Sequence, residues 1–168
     1  MRIDQRITVV LAAAVLAAGA GAGAVQASQA TAGGSAPSAC RPANHAATIT
    51  QADSTAGHSH YRVTLTAPRG YEPCELAGSP TGARFLNHGA DSGVTPRSYG
   101  GQETAVTFGP GHPVHFDIQV PSGGRGLPAD EVAFTLQAPG GEIPGTSFAE
   151  GAFRVADGTL VGPVQQGA

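Results

Sequence analysis

The residues that could do chemistry in this chain are two cysteines and six histidines. Cys74 lies in the stretch YEPCELAGSP, and the other cysteine is Cys40. A thiol can serve as a nucleophile, a metal ligand, a lipid anchor or one half of a disulfide. Cys74 has no neighbouring motif that would activate it as a nucleophile. Two isolated cysteines also lack the closely spaced pairs that mark structural zinc sites.

The histidines provide one spacing that a metal could use. His58 and His60 flank a serine, which places both imidazoles on one face of a strand. The alternative hypothesis is therefore an exported copper- or zinc-binding protein that uses His58 and His60. The comparison with copper–zinc superoxide dismutase fails, because only His88 is available for that family's zinc loop and Cys40 precedes the His-x-His stretch. We expect solvated histidines and no cofactor. The six positions are His45, His58, His60, His88, His112 and His115.

Other catalytic and binding motifs are missing from the sequence. It has no Gly-x-Ser-x-Gly elbow, no calcium loop and no phosphate-binding glycine motif. Asp130 and Glu131 are adjacent on a predicted strand, so their carboxylates should point to opposite faces. All nine basic residues are arginines, they form no run, and the net charge is −3, which argues against a nucleic-acid partner. We therefore expect a non-enzymatic protein.

The N-terminus has the three parts of a secretory signal peptide. Basic residues precede a largely apolar run of twelve residues, 7–18, and small residues lead to Val25-Gln26-Ala27. We predict that residues 1–27 are a signal peptide cleaved after Ala27, with Ala30 and Ala32 as fallback sites. The apolar run is shorter than the roughly 20 residues that a membrane span needs.

Cys40 lies about 20 residues beyond the apolar run, behind a proline, and this position does not suit a lipoprotein. The predicted product is therefore secreted, with no membrane span in its mature form. In an oxidising compartment two cysteines suggest one disulfide, Cys40–Cys74. Residues 28–39, SQATAGGSAPSA, read as a flexible linker to the folded domain.

Short alternating segments predict β-strands from residue 45 onward. The clearest are 58–67 and 112–120, and Asp157-Gly158 predicts a terminal hairpin. Turn residues separate about seven or eight such segments, and no segment beyond residue 27 has a helical period. We predict that residues 40–168 form an all-β domain, an immunoglobulin-like antiparallel β-sandwich, with a small barrel as the alternative.

The stretch Pro73-Cys74-x-Leu76-x-Gly78-x-Pro80 is followed further along the chain by the stretches Phe-Gly-Pro-Gly and Leu-Val-Gly-Pro-Val. Together these stretches resemble an actinobacterial exported family of unknown function, and the first of them is the most specific. The sequence departs from the family pattern at three places, Ala67, Ser79 and Thr81, where Asn, Tyr and Gly are usual. The second cysteine pair that members commonly carry is missing here. The resemblance implies a β-sandwich and no known activity.

These observations together predict an exported module that binds a ligand at the cell surface or in the medium. The sequence identifies neither that ligand nor an oligomeric state.

Overall fold

The computed structural model describes residues 36–123 and 126–168. The predicted signal peptide, its cleavage site at Ala27 and residues 28–35 of the predicted linker lie outside the described residues. Within them, the chain contains no α-helix, and a single 3₁₀ turn spans Pro42–Asn44. None of the described residues forms a helix with the length and apolar character needed to cross a membrane.

Fourteen strands make up the described part of the chain, which confirms the all-β prediction. Their bounds are β1 Ala46–Thr55, β2 His58–Thr66, β3 Cys74–Ala77, β4 Thr81–Asn87, β5 Ala90–Asp91, β6 Arg97–Ser98, β7 Ala105–Phe108, β8 Val114–Pro121, β9 Leu127–Thr135, β10 Gln137–Ala138, β11 Gly141–Glu142, β12 Ser147–Val155, β13 Leu160–Val161 and β14 Gln165–Gln166.

Ten of these strands form one mixed sheet in the order β5-β4-β9-β12-β1-β2-β8-β13-β6, with β14 also paired to β8. Most neighbours are antiparallel, but β1 runs parallel to β12 and β6 runs parallel to β13. The other four strands form two separate ribbons, β3–β7 and β10–β11. The predicted immunoglobulin-like sandwich is not confirmed, because the main strands belong to one continuous sheet rather than to two.

The main sheet curls so that its apolar face encloses the core. Strands β8 and β9 are four strand spacings apart in the sheet order, which is about 19 Å in a flat sheet. The rings of Phe116 on β8 and Phe134 on β9 nevertheless meet edge to face, with centroids 5.1 Å apart. Only a strongly curved sheet brings these two strands face to face.

Alternation along the central strands explains which side chains enter this core. On β2, Tyr61, Val63 and Leu65 are buried, as their spacing predicts. His115 on β8 is an exception, since the alternation predicts an outward, solvated side chain but the structure buries it. The C-terminal segment covers this part of β8, and the carbonyl oxygen of Gly167 lies 3.1 Å from Nδ1 of His115.

The predicted hairpin at Asp157-Gly158 is wrong. The turn exists, but β12 pairs with β9 and β1, whereas β13 pairs with β8 and β6. The hydroxyl of Thr159 donates to the carbonyl of Ala156 at 2.6 Å, and the Thr159 side chain is buried. This closed turn directs the chain across to β8 instead of back along β12.

A glycine allows β12 to cross close to β1. Gly151 has φ +154° and lies at the register shift between Glu150 and Phe153. A Cβ at this position would lie 2.4 Å from the carbonyl oxygen of Ile49. The approach of the two backbones therefore requires the absence of a side chain.

Candidate functional site

The Cys40–Cys74 disulfide is present, as the two-cysteine argument predicts, with Cα atoms 6.0 Å apart. Cys40 is buried and Cys74 is half-buried. The Sγ atom of Cys74 lies 3.6 Å from the carbonyl oxygen of Phe108, which is a packing contact because a disulfide sulfur carries no proton. The bond joins the start of the domain to the first residue of β3.

Both cysteines line an open groove of about 1000 Å³, which we call the disulfide groove. One wall is the segment that contains Cys40 and the 3₁₀ turn, the other is the β10–β11 ribbon with the residues that follow it, and β3 lies between them. Most of the lining side chains are small or apolar. The lining residues are Ser38, Cys40, Arg41, Pro42, Ala43, Cys74, Glu75, Ala138, Pro139, Gly140, Ile143, Pro144, Gly145 and Thr146.

The first wall is anchored before Cys40. The amide of Ala39 donates to the carbonyl of Glu72 at 2.9 Å, and the amide of Glu72 donates to the carbonyl of Pro37 at 3.1 Å. Ala39 is fully buried. Residues 37–39 of the predicted linker are thus paired with the chain just ahead of β3, and they hold one side of the groove in place.

His45 joins this wall to β12. Its Nδ1 lies 3.0 Å from the carbonyl oxygen of Ala39, which can only accept, so Nδ1 carries the proton. Its Nε2 therefore accepts from the hydroxyl of Ser147 at 3.1 Å. The ring also packs edge to face on Phe108, with centroids 5.6 Å apart.

Burial lowers the pKa of the His45 imidazole below its ordinary value of 6.5, and hydrogen bonds to the backbone of Ala39 and Arg41 oppose this shift. Ser147 is buried, so its hydroxyl is closed to a substrate and the pair acts as a structural link. Sequence reasoning missed this link, because His45 and Ser147 are separated by 102 positions in the chain.

The two walls approach each other closely where Gly145 packs against Pro42. Gly145 has φ +109°, and a Cβ there would lie 3.0 Å from Cγ of Pro42. The second wall is attached to the main sheet by a hydrogen bond just after β9, in which the amide of Ile143 donates to the carbonyl of Leu136 at 2.9 Å. Three prolines line the groove, Pro42, Pro139 and Pro144, and their fixed φ angles stiffen both walls.

Among the residues that the structure describes, the only charged side chains that line the groove are Arg41 and Glu75. Both residues are exposed, and neither side chain makes a hydrogen bond or an ion pair with another residue in the described ranges. One positive and one negative group are therefore available to a ligand at the rim of an otherwise apolar groove.

A second opening of about 400 Å³ continues along β3. It shares Ala138 and Pro139 with the disulfide groove and is bordered by Ala77 and Gly78 at the other end of β3. Together the two openings follow the side of β3 that faces the β10–β11 ribbon. Sequence reasoning did not find these two openings, because their walls come from three separate parts of the chain.

The histidines are spread over the molecule rather than brought together. Nε2 of His60 lies 2.9 Å from the hydroxyl oxygen of Thr55, whereas Nδ1 of His88 lies 3.1 Å from the carboxylate of Asp130. Across residues 36–123 and 126–168, no group of three or more His, Cys, Asp or Glu side chains could hold a metal ion. The structure gives His58 and His60 no third ligand, so the metal-binding alternative has no support.

Comparison with known proteins gives one match. The family model described as "Domain of unknown function (DUF4232)" matches residues 40–165, which is three quarters of the chain. No curated protein and no solved structure matches the chain. The matched range includes the disulfide, every groove-lining residue except Ser38, and all but the last residue of the strands. The chain therefore belongs to the DUF4232 family of domains of unknown function.

Proposed function

We propose that this protein is an exported, non-enzymatic module that binds a ligand in the disulfide groove, at the cell surface or in the medium. The observation that carries the proposal is the groove itself. Its volume of about 1000 Å³ is at the upper end of the range typical of ligand pockets. Its lining, apolar with a few polar groups at the rim, is also typical of such pockets.

Export is supported by the N-terminal pattern and by the disulfide. Residues 1–27 have the composition of a signal peptide, and disulfides persist mainly in oxidising compartments. In this proposal residues 28–39 lead from the cleaved N-terminus to the domain of residues 40–168. The disulfide then keeps the groove assembled outside the cell.

The resemblance to an actinobacterial exported family fits a structural role for the Pro-Cys-x-Leu-x-Gly-x-Pro stretch. Leu76 is fully buried, and the carbonyl of Gly78 accepts from the amide of Val164 at 2.9 Å. Pro73 packs so closely on Gly109 that a Cβ there would lie 2.9 Å from Cα of Pro73. These contacts fix β3, and with it the groove.

Binding is favoured over catalysis because the groove presents no activated group. Its two cysteines are bonded to each other, and its Arg41 and Glu75 side chains have no described partner that would tune them for proton transfer. The His45–Ser147 pair lies nearby, but its hydroxyl is buried.

The test uses the predicted mature chain, from Ser28 onward, labelled with ¹⁵N. It is titrated with polysaccharide, lipid and protein fractions of the surface of the producing organism. We expect one fraction to shift the amide resonances of groove residues. Ala43→Asp places a charge in the groove at an exposed position and should abolish the shifts, whereas Ala90→Asp, on β5, should not. Shifts confined to other surfaces, or equal responses of both variants, would contradict the proposal.

A further inference from the structure

We propose that the outer face of strands β1, β2 and β8 carries a second binding site, whose ligand is a neutral sugar ring with adjacent hydroxyl groups. The paired side chains of Arg62 and Asp117 form the centre of this site, and Thr50 and Thr64 flank it. Among the described residues, none lines both this site and the disulfide groove, so the inference does not depend on the proposed function.

Strand alternation places these side chains on the side of the sheet that faces away from the core. Alternate residues of β2 from Tyr61 to Leu65 are buried, so the residues between them point outward. The register sets Arg62 directly between Thr50 of β1 and Asp117 of β8. These side chains line an open depression of about 470 Å³, which we call the outer-face depression. This volume lies within the range typical of ligand pockets.

The ion pair between Arg62 and Asp117 holds hydrogen-bonding groups in place. Nε of Arg62 donates to Oδ1 of Asp117 at 3.1 Å, and the two side chains are 35% and 17% exposed. In the described ranges, the Nη groups of Arg62 and Oδ2 of Asp117 make no hydrogen bond with the protein. They are open to solvent, because no buried side-chain atom in these ranges lacks a partner. Donors and an acceptor therefore lie side by side, ready for a ligand.

Tyr99 closes the side of Asp117 that faces away from Arg62. The amide of Tyr99 donates to the carbonyl of Val161 at 3.1 Å, and a Cβ on Gly162 would lie 2.7 Å from the Tyr99 hydroxyl oxygen. The phenol ring thus lies across Gly162, whose amide donates to the carbonyl of Asp117 at 2.9 Å. Burial, together with the negative charge of Asp117, raises the pKa of Tyr99 above its ordinary value of 10.0. Asp117 is therefore enclosed between a guanidinium on β2 and a neutral phenol beside β13.

The charges around the outer-face depression do not favour a simple ion. The charge of Arg62 is already balanced by Asp117, and Asp53 adds a second carboxylate to the lining, which repels an anion. A cation would meet the guanidinium, and the described residues contain no group of three His, Cys, Asp or Glu side chains suited to a metal ion. Alanine is the only apolar residue type among the described lining residues, so an apolar ligand gains little. The depression therefore suits a neutral ligand that forms hydrogen bonds.

A sugar ring matches this set of groups. Each of its hydroxyls both donates and accepts, so one hydroxyl can accept from Arg62 while its neighbour donates to Asp117. The hydroxyls of Thr50 and Thr64 can take either role, and in the described ranges neither is hydrogen-bonded to the protein. A nucleobase depends more on stacking, and the described lining contains no Phe, Tyr or Trp.

The test is an NMR titration of the ¹⁵N-labelled chain, from Ser28 onward, with the methyl α-pyranosides of glucose, mannose and galactose. Two matched probes are tetrahydropyran-2-methanol, which has the ring without the adjacent hydroxyls, and inorganic phosphate. We expect at least one glycoside to shift the amides of Thr50, Arg62 and Asp117. Its Kd should be millimolar, because each hydrogen bond to a solvent-accessible group contributes little net free energy. The two matched probes should leave these amides unshifted.

Two variants assign the binding to the proposed side chains. Arg62→Gln should weaken binding of the glycoside by about tenfold or more, because it removes charged donors. Arg84→Gln is the matched control, since Arg84 is an exposed arginine on β4 outside the depression, and it should bind as wild type does. Thr64→Val removes a hydroxyl that has no partner in the described protein. It should weaken binding by roughly two- to tenfold without a change in Tm, and it decides the question if Arg62→Gln does not fold.

Several results would overturn the inference. They are the absence of glycoside shifts at this face, equal shifts with tetrahydropyran-2-methanol, a stronger response to phosphate, and equal affinities of wild type and the folded Arg62→Gln or Thr64→Val variant. Glycoside shifts confined to the disulfide groove would also overturn it, but they would support the proposed function. The two proposals can therefore fail separately.

Discussion

Removal of the disulfide should destabilise the domain by an amount that the loop length sets. Cys40 and Cys74 are separated by 34 positions, and the loop-closure relation gives about 4 kcal/mol for a ring of this size. Unfolding entropy is about 2.1 cal/mol/K per residue, so a folded unit of about 130 residues should lose about 14 °C in Tm. We predict this loss for the double variant Cys40→Ala/Cys74→Ala.

The assay is thermal and urea unfolding of the predicted mature chain, followed by circular dichroism. Wild type should lose a similar amount of stability in the presence of a dithiol reductant, and the double variant should not respond to the reductant. The double variant should still fold, because the wall that carries Cys40 is also held by the Ala39–Glu72 backbone pairing and by His45. A loss below about 1 kcal/mol would refute the loop-entropy reasoning, since it would mean that the unfolded chain already keeps the two segments close together.

Three further predictions concern single features. Burial holds the pKa of His45 below 6.5 in the folded state, so the unfolded chain binds more protons than the folded chain below that pH. The free energy of unfolding should therefore fall as the pH is lowered through about 6.5 towards the folded-state pKa. Urea unfolding between about pH 7 and pH 5 measures this slope, and a His45→Gln variant with the same slope would contradict the assignment to His45. Gly151→Ala should cost about 2–4 kcal/mol, because the new Cβ meets the backbone of Ile49 as well as an unfavourable φ. Gly57→Ala, at φ +88° with open space around it, is the matched control and should cost about 1–2 kcal/mol, so equal losses would show that the close approach is unimportant. Untagged purified protein should contain no stoichiometric copper or zinc by elemental analysis, and one equivalent of either metal would restore the His58/His60 hypothesis.

Alternation and cysteine count predicted the parts of this structure that depend on local sequence. The inward positions of β2 follow from their period of two, and the disulfide follows from the presence of two cysteines in a chain with a predicted export signal. The first inference needs only the residues of one strand and the second needs only the predicted compartment and a count of cysteines, so neither requires knowledge of strand order.

The partners of each strand could not be predicted in the same way. The terminal segments around Asp157-Gly158 have good hairpin residues, yet β13 pairs with β8, about 40 positions earlier in the chain. A strand as short as Leu160–Val161 gains little from its local turn, and its place is decided by the buried surface it covers. The same reason applies to His115, whose burial depends on the C-terminal segment rather than on its own strand.

The candidate site depends even more strongly on pairings between distant segments. Arg41 and Glu75 are unremarkable charges in the sequence, and they become neighbours of one groove because the disulfide and the Ala39–Glu72 pairing bring their segments together. Cys74, which has no activating motif, therefore helps to form the groove. If the groove binds a ligand, then loss of the disulfide should weaken binding of that ligand more than loss of an equal amount of stability elsewhere, such as that caused by Gly151→Ala. The surface fraction that shifts the groove amides of wild type is titrated into both variants at a temperature where each is fully folded, and equal responses would show that binding does not require the disulfide.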